Sequence, residues 1–509
     1  MNTDSSKQPE LSLLPEVDVE LVLEGSYPYV TGGVSAWVHR LIIGLPEIRF
    51  GLIHFAAKNE DTKKLRYDLP ENVKYLQNLY LQEAVFVPPV SNSETCLCKD
   101  LFPEFLRMHK MTKNSSVDSF AEIFTKLTDS KHLHTLRELF FCRESFGLLK
   151  TLYNEKSSNA SFLDYFWTWR FMHLPLVQIL QMRRGKTSLV HSVSTGYAGF
   201  YAALRKLTEN CPFILTEHGI YTRERNIEIS QSSWIHEEKH PDHLVRSEPA
   251  LFKGIWINFF NALGNWSYQE ADRIITLFEG NRTAQISLGA DPQKIEIIPN
   301  GIEMEKFFGL RSERPPSADN FKVGFIGRIV SIKDIRTFLR AVQIVLLQIP
   351  LSDYYIIGPL DEEPYYSTEM QKLTETLGIT DRVHFLGRQN VIEWYSQLDV
   401  CVLTSLSEGQ PLTVLEGMAA GIPQIVTDVG SCRELVEGHF PEDKGIGPCG
   451  IVTEPCSPAQ TANAILSICR TPELFSSMSR AGKNRVKTYY QEKNLFNRYL
   501  RIYQNYITK

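Results

Sequence analysis

The sequence predicts an α/β protein built from two doubly wound parallel sheets. Apolar strand-like segments alternate with helical segments in both halves of the chain, which favours parallel sheets covered by helices on both faces. Glycine-rich or polar segments follow several strands directly, where open α/β sheets bind their ligands. A polar, proline-bearing segment at residues 311–320 separates the two series and is the best linker candidate.

The first half opens with a strand, a glycine-rich loop and a helix. The strand is predicted at Val17–Leu23, the loop at Glu24–Gly33, and the helix at about Val34–Leu45, where apolar residues recur at helical spacing. This order is typical of a nucleotide-binding α/β half. Residues 57–184 look mostly helical and are interpreted as an insertion. Further strands are predicted at Leu189–Val193, Phe213–Thr216, Arg273–Leu277 and Ile295–Ile298.

The second half repeats the alternation. Strands are predicted at Lys322–Ile326, Tyr354–Ile357, Val383–Leu386, Val400–Leu403, Gln424–Thr427 and near Ile451. Helices are predicted at Ile335–Gln348, Tyr366–Gly378 and Val391–Gln397. We therefore expect an N-terminal domain at 1–310, a second domain at 321–485 and a C-terminal helix at 486–509 that packs back on the first. Two such domains would face each other across a ligand cleft.

Composition excludes several classes of protein. A chain of 509 residues can form two or more domains, and its net charge of −5 gives no reason to expect nucleic acid. The polar N-terminus lacks the apolar core of a secretion signal, and no stretch approaches the roughly 18 apolar residues of a membrane span. The nine cysteines are scattered without zinc-ligand spacing, so we expect reduced thiols and no zinc.

The most informative segment is Glu408–Glu416, whose two end residues are carboxylates. Glu408 follows a predicted strand and Glu416 lies on a predicted helix. Pro411 fits the first helical position, and Gly421 fits the end of the helix. Amides at the helix start can face a diphosphate, while the carboxylates accept hydrogen bonds from ribose and sugar hydroxyls. This combination suits a nucleotide-sugar site; an ordinary solvated helix with two surface acids is the alternative.

Other polar groups follow strands in both halves. Arg328 and Lys333 come after the first strand of the second half and can both reach one diphosphate, although two exposed loop cations are the alternative. The adjacent Gly32 and Gly33 permit a close approach of phosphate or sugar to the backbone, unless they form an ordinary turn. His218 follows a strand of the first half and would point into the cleft, unless it is a structural histidine.

Two further features bear on partners and metals. The segment Leu251–Leu263 carries a wide aromatic stripe, which suits a groove for an acceptor or a membrane-protein partner, but a buried helix is the favoured interpretation. The chain has no Asp-x-Asp motif, the carboxylate pair that commonly holds a metal–diphosphate complex. We therefore expect no metal, and expect the diphosphate charge to be met by cations and helix amides.

In this order the motifs resemble the family-4 retaining glycosyltransferases of the GT-B architecture. They are Gly32-Gly33, His218, Asn300-Gly301, Gly327-Arg328 with Lys333, and Glu408–Glu416. The N-terminal half also resembles the PelF glycosyltransferases of bacterial Pel exopolysaccharide synthesis, through the segments Leu23–Val38, His191–Tyr197 and Leu215–Arg225.

The resemblance implies a GT-B fold of two Rossmann-like domains facing a cleft. It implies a UDP-sugar donor (UDP-glucose or a UDP-N-acetylhexosamine), a glycan acceptor and an exopolysaccharide product. It also implies a cytoplasmic protein, peripheral at the inner membrane through Pel synthase components, that needs no cofactor or metal.

The resemblance assigns roles to individual residues. Arg328 and Lys333 would bind the diphosphate and stabilise the departing UDP. Glu416 would hold the ribose hydroxyls, Glu408 would contact the donor sugar, and His218 would approach its C6 hydroxyl. The remaining donor-binding positions are Gly32, Gly33, Gly409, Gln410, Pro411 and Leu412.

Two positions depart from the common family pattern. Asp334 follows Lys333 where glycine is frequent, so the loop geometry is open at this point. The motif loop reads Gly-Gln-Pro where Gly-Phe-Gly is common, and Pro411 has no N–H to donate. The sugar must then use neighbouring donors.

The expected reaction is glycosyl transfer with retention, driven by electrostatic stabilisation of the leaving diphosphate. Glu408 is not assigned as a covalent nucleophile. Two alternatives remain open: a sugar-nucleotide epimerase of the same architecture, and a catalytically silent UDP-sugar-binding scaffold of a membrane polysaccharide synthase.

Overall fold

The computed structural model describes most of the chain. The described residues are 14–83, 102–103, 106, 120–128, 140–141, 143–156, 161–232, 251–310 and 320–507. The predicted linker at 311–320 lies outside this part of the chain except for its last residue. None of the described helices combines the length and apolar character that crossing a bilayer requires.

The chain divides into two compact units. The first contains residues 1–275, 284–296 and 500–509, and the second contains residues 276–283 and 297–499. The last residues of the chain join the first unit, where the Tyr503 hydroxyl lies 2.7 Å from Nδ1 of the buried His191. Each unit has its own apolar core.

The first unit contains a seven-stranded sheet of order β3-β2-β1-β4-β5-β6-β7. The pairs from β3 to β5 run parallel. Its strands are β1 (Val17–Glu24), β2 (Phe50–Ala56), β3 (Val73–Tyr80), β4 (Thr187–Ser192), β5 (Phe213–Glu217), β6 (Arg273–Thr276) and β7 (Ile295–Ile297). The sequence analysis did not predict β2 or β3. β2 is buried along its whole length and β3 is half-buried and polar, so neither shows the alternation that marks a strand.

Helices flank this sheet. They are α1 (Gly33–Gly44), α2 (Phe120–Thr128), α3 (Arg143–Lys156), α4 (Phe162–Leu180), α5 (Tyr197–Glu209), α6 (Tyr221–Gln231), α7 (Leu251–Glu270) and α8 (Glu279–Ser287). The aromatic stripe lies on α7, where Trp256, Phe259 and Phe260 are buried in the core of the unit. The interpretation as a buried helix is therefore confirmed, and the stripe offers no groove.

The second unit contains a six-stranded sheet of order β10-β9-β8-β11-β12-β13 in which every neighbouring pair is parallel. Its strands are β8 (Lys322–Ile326), β9 (Asp353–Ile357), β10 (Val383–Gly387), β11 (Val400–Leu403), β12 (Gln424–Thr427) and β13 (Gly450–Thr453). All six were predicted within one or two residues. These short apolar runs, bounded by turn residues, are typical of strands buried on both faces.

Helices again alternate with the strands. They are α9 (Ile335–Leu346), α10 (Pro364–Leu377), α11 (Val391–Tyr395), α12 (Leu412–Ala420), α13 (Cys432–Glu437), α14 (Pro441–Lys444), α15 (Pro458–Arg470), α16 (Pro472–Tyr489) and α17 (Glu492–Ile507). The two doubly wound α/β units match the predicted fold class.

Each sheet contains one topological switch point. In the second unit the chain runs outward from β8 to β10 and then returns, so that β11 pairs with β8. In the first unit β4 returns to pair with β1 in the same way. Loops after the two strands at a switch point leave in opposite directions and open a crevice at the carboxyl edge, where α/β proteins bind ligands.

Candidate functional site

Two loops meet at the switch point of the second unit. The first follows β8 and ends in a short 3₁₀ turn at Ser331–Lys333. Its start is fitted closely to the loop after β9: a Cβ atom at Gly358 would lie 1.8 Å from the carbonyl oxygen of Gly327, and Gly358 has a φ of +156°. Only glycine can occupy this position, so the path of the first loop is set by a backbone contact.

The second loop follows β11 and is hydrogen-bonded to the first. The Thr404 hydroxyl donates to the carbonyl oxygens of Lys333 and Asp334, at 3.2 and 2.9 Å. The amide of Leu406 donates to the carbonyl of Ile332 at 2.8 Å. These bonds hold the two loops in register, although their residues are more than 70 positions apart.

The Lys333 ammonium donates a hydrogen bond to the Glu408 carboxylate across the two loops. The side chains are only 15% and 10% exposed, so the pair is largely shielded from water. The hydroxyl of the buried Ser405 donates to the same carboxylate oxygen at 2.5 Å. The structure therefore brings two of the predicted site residues into direct contact and gives the carboxylate a second donor.

Asp334 adopts the left-handed conformation, with a φ of +43°. Glycine reaches this region at no steric cost, and aspartate is among the few other residues that enter it. Its carboxylate accepts hydrogen bonds from the amide and hydroxyl of Thr337, at 3.2 and 2.5 Å, and caps the start of α9. The departure from the family pattern at Asp334 thus keeps the backbone turn that glycine would supply.

The backbone of Glu408 is held by a glycine on a third loop. Gly430 has a φ of +56°, and a Cβ atom there would lie 2.1 Å from the carbonyl oxygen of Glu408. The amide of Ser431 donates to the carbonyl of Gly409 at 2.9 Å. The loop after β12 therefore packs directly on the motif and leaves no room for a side chain.

The motif helix starts one residue later than predicted. Pro411 is the residue before α12, with an extended φ of −73° and ψ of 116°, and Leu412 is the first helical residue. The prediction that Pro411 occupies the first helical position is wrong by one residue, because its ψ is that of a capping residue. Gly421 ends the helix in the left-handed conformation as predicted, with a φ of +84°.

Gln410 connects the motif loop to the turn at Asn300. Its side-chain oxygen accepts a hydrogen bond from the amide of Asn300 at 2.6 Å, and the residue is only 8% exposed. Gln410 and Ser431 also line a cavity of about 380 Å³ within the second unit. The side chain of Gln410 thus has a structural contact within the second unit.

Glu416 lies on α12, about one turn after the first helical residue, Leu412. Its Oε2 accepts a hydrogen bond from the hydroxyl of Tyr395 at 3.0 Å. The same hydroxyl lies 3.2 Å from the carbonyl of Thr413, in the first turn of the helix. Glu416 is half-buried, so the carboxylate sits at the edge of the unit with one side against protein.

Arg328 is placed differently from Lys333. Its guanidinium is 58% exposed and pairs with Glu362 at 3.1 Å. The adjacent Glu363 accepts a hydrogen bond from the amide of Ser331 at 3.0 Å. Two carboxylates of the loop after β9 thus contact groups of the first loop, and an anionic ligand must share or replace the contact with Arg328.

The predicted residues of the first unit follow β1 and β5, on either side of β4 in the sheet. Gly32 precedes α1 and Gly33 begins it, one residue before the predicted start, and a Cβ atom at either position would meet no atom within 4 Å. Trp37 on this helix packs its ring edge-on against His218, with 4.5 Å between the ring centroids. The first helix and the loop after β5 are therefore in contact.

Burial sets the charge state of the histidines beside Trp37. It lowers the pKa of His218 to about 4, so the imidazole is neutral near pH 7. It also lowers the pKa of His191 to about 3, and that ring lies 2.8 Å from the Thr216 hydroxyl. A neutral His218 can exchange hydrogen bonds with a hydroxyl group, but it does not carry a positive charge.

Comparisons with known proteins identify the family. A family model described as "Domain of unknown function (DUF3492)" matches residues 17–293, which is more than half of the chain. The chain belongs to this family. A second model, "Glycosyl transferases group 1", matches residues 320–471. A DUF3492 domain is therefore followed by a group 1 glycosyltransferase domain that contains both site loops and the motif helix.

Curated relatives match part of this DUF3492 protein. The D-inositol 3-phosphate glycosyltransferase of Streptomyces scabiei (strain 87.22) is 27% identical over 217 residues, which cover 39% of this chain and 46% of that protein. The D-inositol 3-phosphate glycosyltransferase of Paenarthrobacter aurescens (strain TC1) is 30% identical over 177 residues, or 30% and 42% of the two chains. The match thus spans about half the length of these curated relatives.

Solved structures resemble the DUF3492 protein over nearly its full length. Sucrose-phosphate synthase from Thermosynechococcus elongatus has a TM-score of 0.58 at 16% identity, covering 96% of this chain and 98% of that one. HepE from Anabaena, solved with UDP, has a TM-score of 0.58 at 15% identity, covering 96% and 100%. Together with the two sheets, these similarities confirm the predicted GT-B fold.

Sequence reasoning missed several residues of the site in this DUF3492 protein. They are Trp37, Tyr395, Thr404, Ser405 and Gly430. Ser405 precedes Glu408 by three residues in the same loop, so its hydroxyl was a recognisable candidate. Thr404 directly precedes Ser405 in that loop. Tyr395 and Gly430 come from other elements of the second unit, and Trp37 lies in the first unit beside His218.

Proposed function

We propose that this protein is a retaining, metal-independent glycosyltransferase that uses a UDP-sugar. The observation that carries the proposal is the shielded Lys333–Glu408 pair at the switch point, on the loop that leads into the helix bearing Glu416. A cation, a helix start and two carboxylates are the groups that a nucleotide-sugar requires. The group 1 glycosyltransferase model covers the same segment.

The diphosphate is bound by Lys333, Arg328 and the amides at the start of α12. The first amides of a helix have no partner within it and carry the positive end of the helix dipole. Because Pro411 precedes the helix and lacks an N–H, Leu412 and Thr413 supply these amides. Hydrogen bonds between the loops after β8 and β11 fix these donors before the leaving group gains charge. Electrostatic catalysis is most effective when the donors are fixed in advance.

The rest of the donor is held by groups that accept or exchange hydrogen bonds. Within the second unit, Glu416 accepts from the ribose hydroxyls and Glu408 contacts the sugar. The family resemblance assigns the C6 hydroxyl of the sugar to His218 of the first unit. The family resemblance assigns the backbones of Gly32 and Gly33 to the phosphates, and a Cβ atom at either glycine would meet no atom within 4 Å.

In the reaction the bond between the anomeric carbon and the diphosphate oxygen breaks, and the acceptor oxygen bonds to the same face of that carbon. The acceptor's proton passes to the leaving diphosphate, so UDP carries away both the electron pair and the proton. Glu408 does not act as a nucleophile. Its carboxylate accepts from Lys333 and Ser405, and these bonds lower its nucleophilicity while they hold it in place.

We further propose that the product is an exopolysaccharide, of the Pel type, built on a glycan acceptor in the cytoplasm beside inner-membrane Pel synthase components. The segments Leu23–Val38 and Leu215–Arg225, which resemble the PelF glycosyltransferases, support this proposal. The resemblance implies UDP-glucose or a UDP-N-acetylhexosamine as the donor, and HepE, which shares the fold and has been solved with UDP and with UDP-glucose, supports the first of these.

Donor identity is tested with a panel of UDP-, GDP- and ADP-sugars. The true donor should raise the melting temperature most, because a ligand at 100 times its Kd stabilises the folded state by about 2.7 kcal/mol. Turnover with a glycan acceptor should follow the same ranking and give a product of retained anomeric configuration by NMR. Interconversion of UDP-sugars without acceptor would indicate an epimerase, and binding without turnover would indicate a silent scaffold.

Metal independence is tested by removing divalent cations. We expect turnover to stay within about twofold after treatment with excess EDTA, because side-chain cations and helix amides replace the metal at the diphosphate. A glycosyltransferase that requires Mn²⁺, assayed in the same buffer, serves as the control. Loss of activity in EDTA that Mn²⁺ restores would contradict the proposed site chemistry.

A further inference from the structure

We infer that Tyr395 is a positioning residue that orients the Glu416 carboxylate toward the ribose of the donor. The inference rests on the proposed function, because it assumes that Glu416 is the ribose ligand. It goes further by naming the group that orients the Glu416 carboxylate. Tyr395 itself does not contact the nucleotide in this proposal.

The geometry of Tyr395 supports such a role. It is the last residue of α11, is fully buried, and packs its ring edge-on against Phe307 at 5.7 Å between centroids. Its hydroxyl lies 3.0 Å from Oε2 of Glu416 and 3.2 Å from the carbonyl of Thr413. Both acceptors belong to α12, so a rigidly packed ring presents its one polar atom to the helix that carries the carboxylate.

The chemistry makes this hydroxyl a permanent donor. Burial, with the nearby Glu416 carboxylate as a second cause, raises the pKa of Tyr395 well above its usual value. The phenol therefore keeps its proton throughout the physiological range and acts toward Glu416 as a donor, with the Thr413 carbonyl as its second and more distant acceptor. A hydrogen bond to a charged acceptor is stronger than one between neutral groups and selects one orientation of a flexible side chain.

Orientation matters because ribose presents two adjacent hydroxyls. A carboxylate can accept from both only when its plane faces them. A glutamate side chain that rotates freely adopts this arrangement only part of the time. Fixing it when the ligand binds costs conformational entropy. Without the Tyr395 hydroxyl, Oε2 of Glu416 loses the bond that holds it toward α11. The contribution of the ribose hydroxyls to affinity should therefore fall.

The test compares two nucleotides by calorimetry: UDP, and 2′,3′-dideoxy-UDP, which lacks both ribose hydroxyls. The wild-type protein should prefer UDP. In Tyr395→Phe we expect UDP to bind about tenfold more weakly, the scale of one lost hydrogen bond to a charged group, while the dideoxy nucleotide changes by less than about twofold. The preference for UDP therefore shrinks.

A matched control is available in the same unit. Tyr354 is fully buried on β9, and its hydroxyl lies 2.9 Å from the Ser352 hydroxyl, away from the motif. Tyr354→Phe should leave the affinities for both nucleotides unchanged. Glu416→Gln should remove most of the preference for UDP in the wild-type background.

The outcomes separate the inference from the proposed function. If Tyr395→Phe lowers the affinities for both nucleotides equally, Tyr395 has a general structural role and the inference alone is overturned. The inference alone is also overturned if Glu416→Gln loses the preference for UDP while Tyr395→Phe keeps it. A wild-type protein that binds UDP and dideoxy-UDP equally would remove Glu416 as the ribose ligand. A wild-type protein that binds neither would overturn the UDP-sugar function itself.

Discussion

Replacing Lys333 with alanine should lower UDP-sugar turnover by about 10²–10³-fold, the effect of losing one fixed donor to a developing charge. The Lys333 ammonium is largely shielded from water. A hydrogen bond from Thr404 on the neighbouring loop fixes the Lys333 backbone, so the cation is held in one position. The substitution also leaves the Glu408 carboxylate near the phosphates without its cation. The loss should appear mainly in kcat, because the interaction strengthens as the diphosphate departs.

Steady-state kinetics with the donor identified by the panel measures this effect. Lys493→Ala is the control: Lys493 also pairs with a glutamate, Glu305, but its side chain is 74% exposed. It should retain wild-type kcat. The double variant Lys333→Ala/Glu408→Gln separates the lost diphosphate contact from the uncompensated carboxylate. If Lys333→Ala turns over like the wild type, Lys333 does not bind the leaving group.

Replacing Arg485 with leucine should lower the free energy of unfolding by about 3–5 kcal/mol, the cost of removing one partner of a buried ion pair. Arg485 on α16 and Asp443 on α14 are both fully buried and lie 2.6 Å apart. The guanidinium also donates to the carbonyls of Val436 and Gly447, each at 2.8 Å. The leucine variant leaves the buried Asp443 carboxylate without its cation, with the amide of His439 as its remaining donor among the residues that the structure describes. It also removes the guanidinium bonds to the two carbonyls.

Chemical denaturation followed by circular dichroism measures the loss of stability. Arg433→Leu is the matched control, because Arg433 pairs with Asp428 and Glu437 but is 48% exposed. An exposed pair contributes about 0–1 kcal/mol. Equal destabilisation by the two substitutions would show that burial does not decide the strength of the Arg485 contacts. The buried pair would then have no special part in holding α14 against α16.

The strands of the second unit were predictable because each is a short apolar run between turn residues. The same criterion failed for β2 and β3 of the first unit. β2 includes Gly51 and a buried His54, and β3 mixes polar and apolar residues without regular alternation, so composition does not separate them from their surroundings. They are strands because they pair with β1 and with each other, which is a long-range property.

The candidate site divides in the same way. Lys333, Glu408 and Glu416 were identified from residue type and their places after strands. Their contacts within the protein were not, nor was the pairing of Arg328 with Glu362. Chain order predicts which loop a residue occupies. It does not predict the contacts of a long polar side chain, because several loops distant in sequence supply groups within its reach.

The sequence alone determined the local features of this protein: the alternation of strands and helices, the glycine that ends α12, and the residue types at the carboxyl ends of the strands. These depend on periodicity and on the allowed backbone angles of single residues. The tertiary structure decided that β11 returns to pair with β8, and hence that Lys333 meets Glu408 and Tyr395 meets Glu416. Such contacts join residues distant in the chain, and packing of the whole sheet selects them.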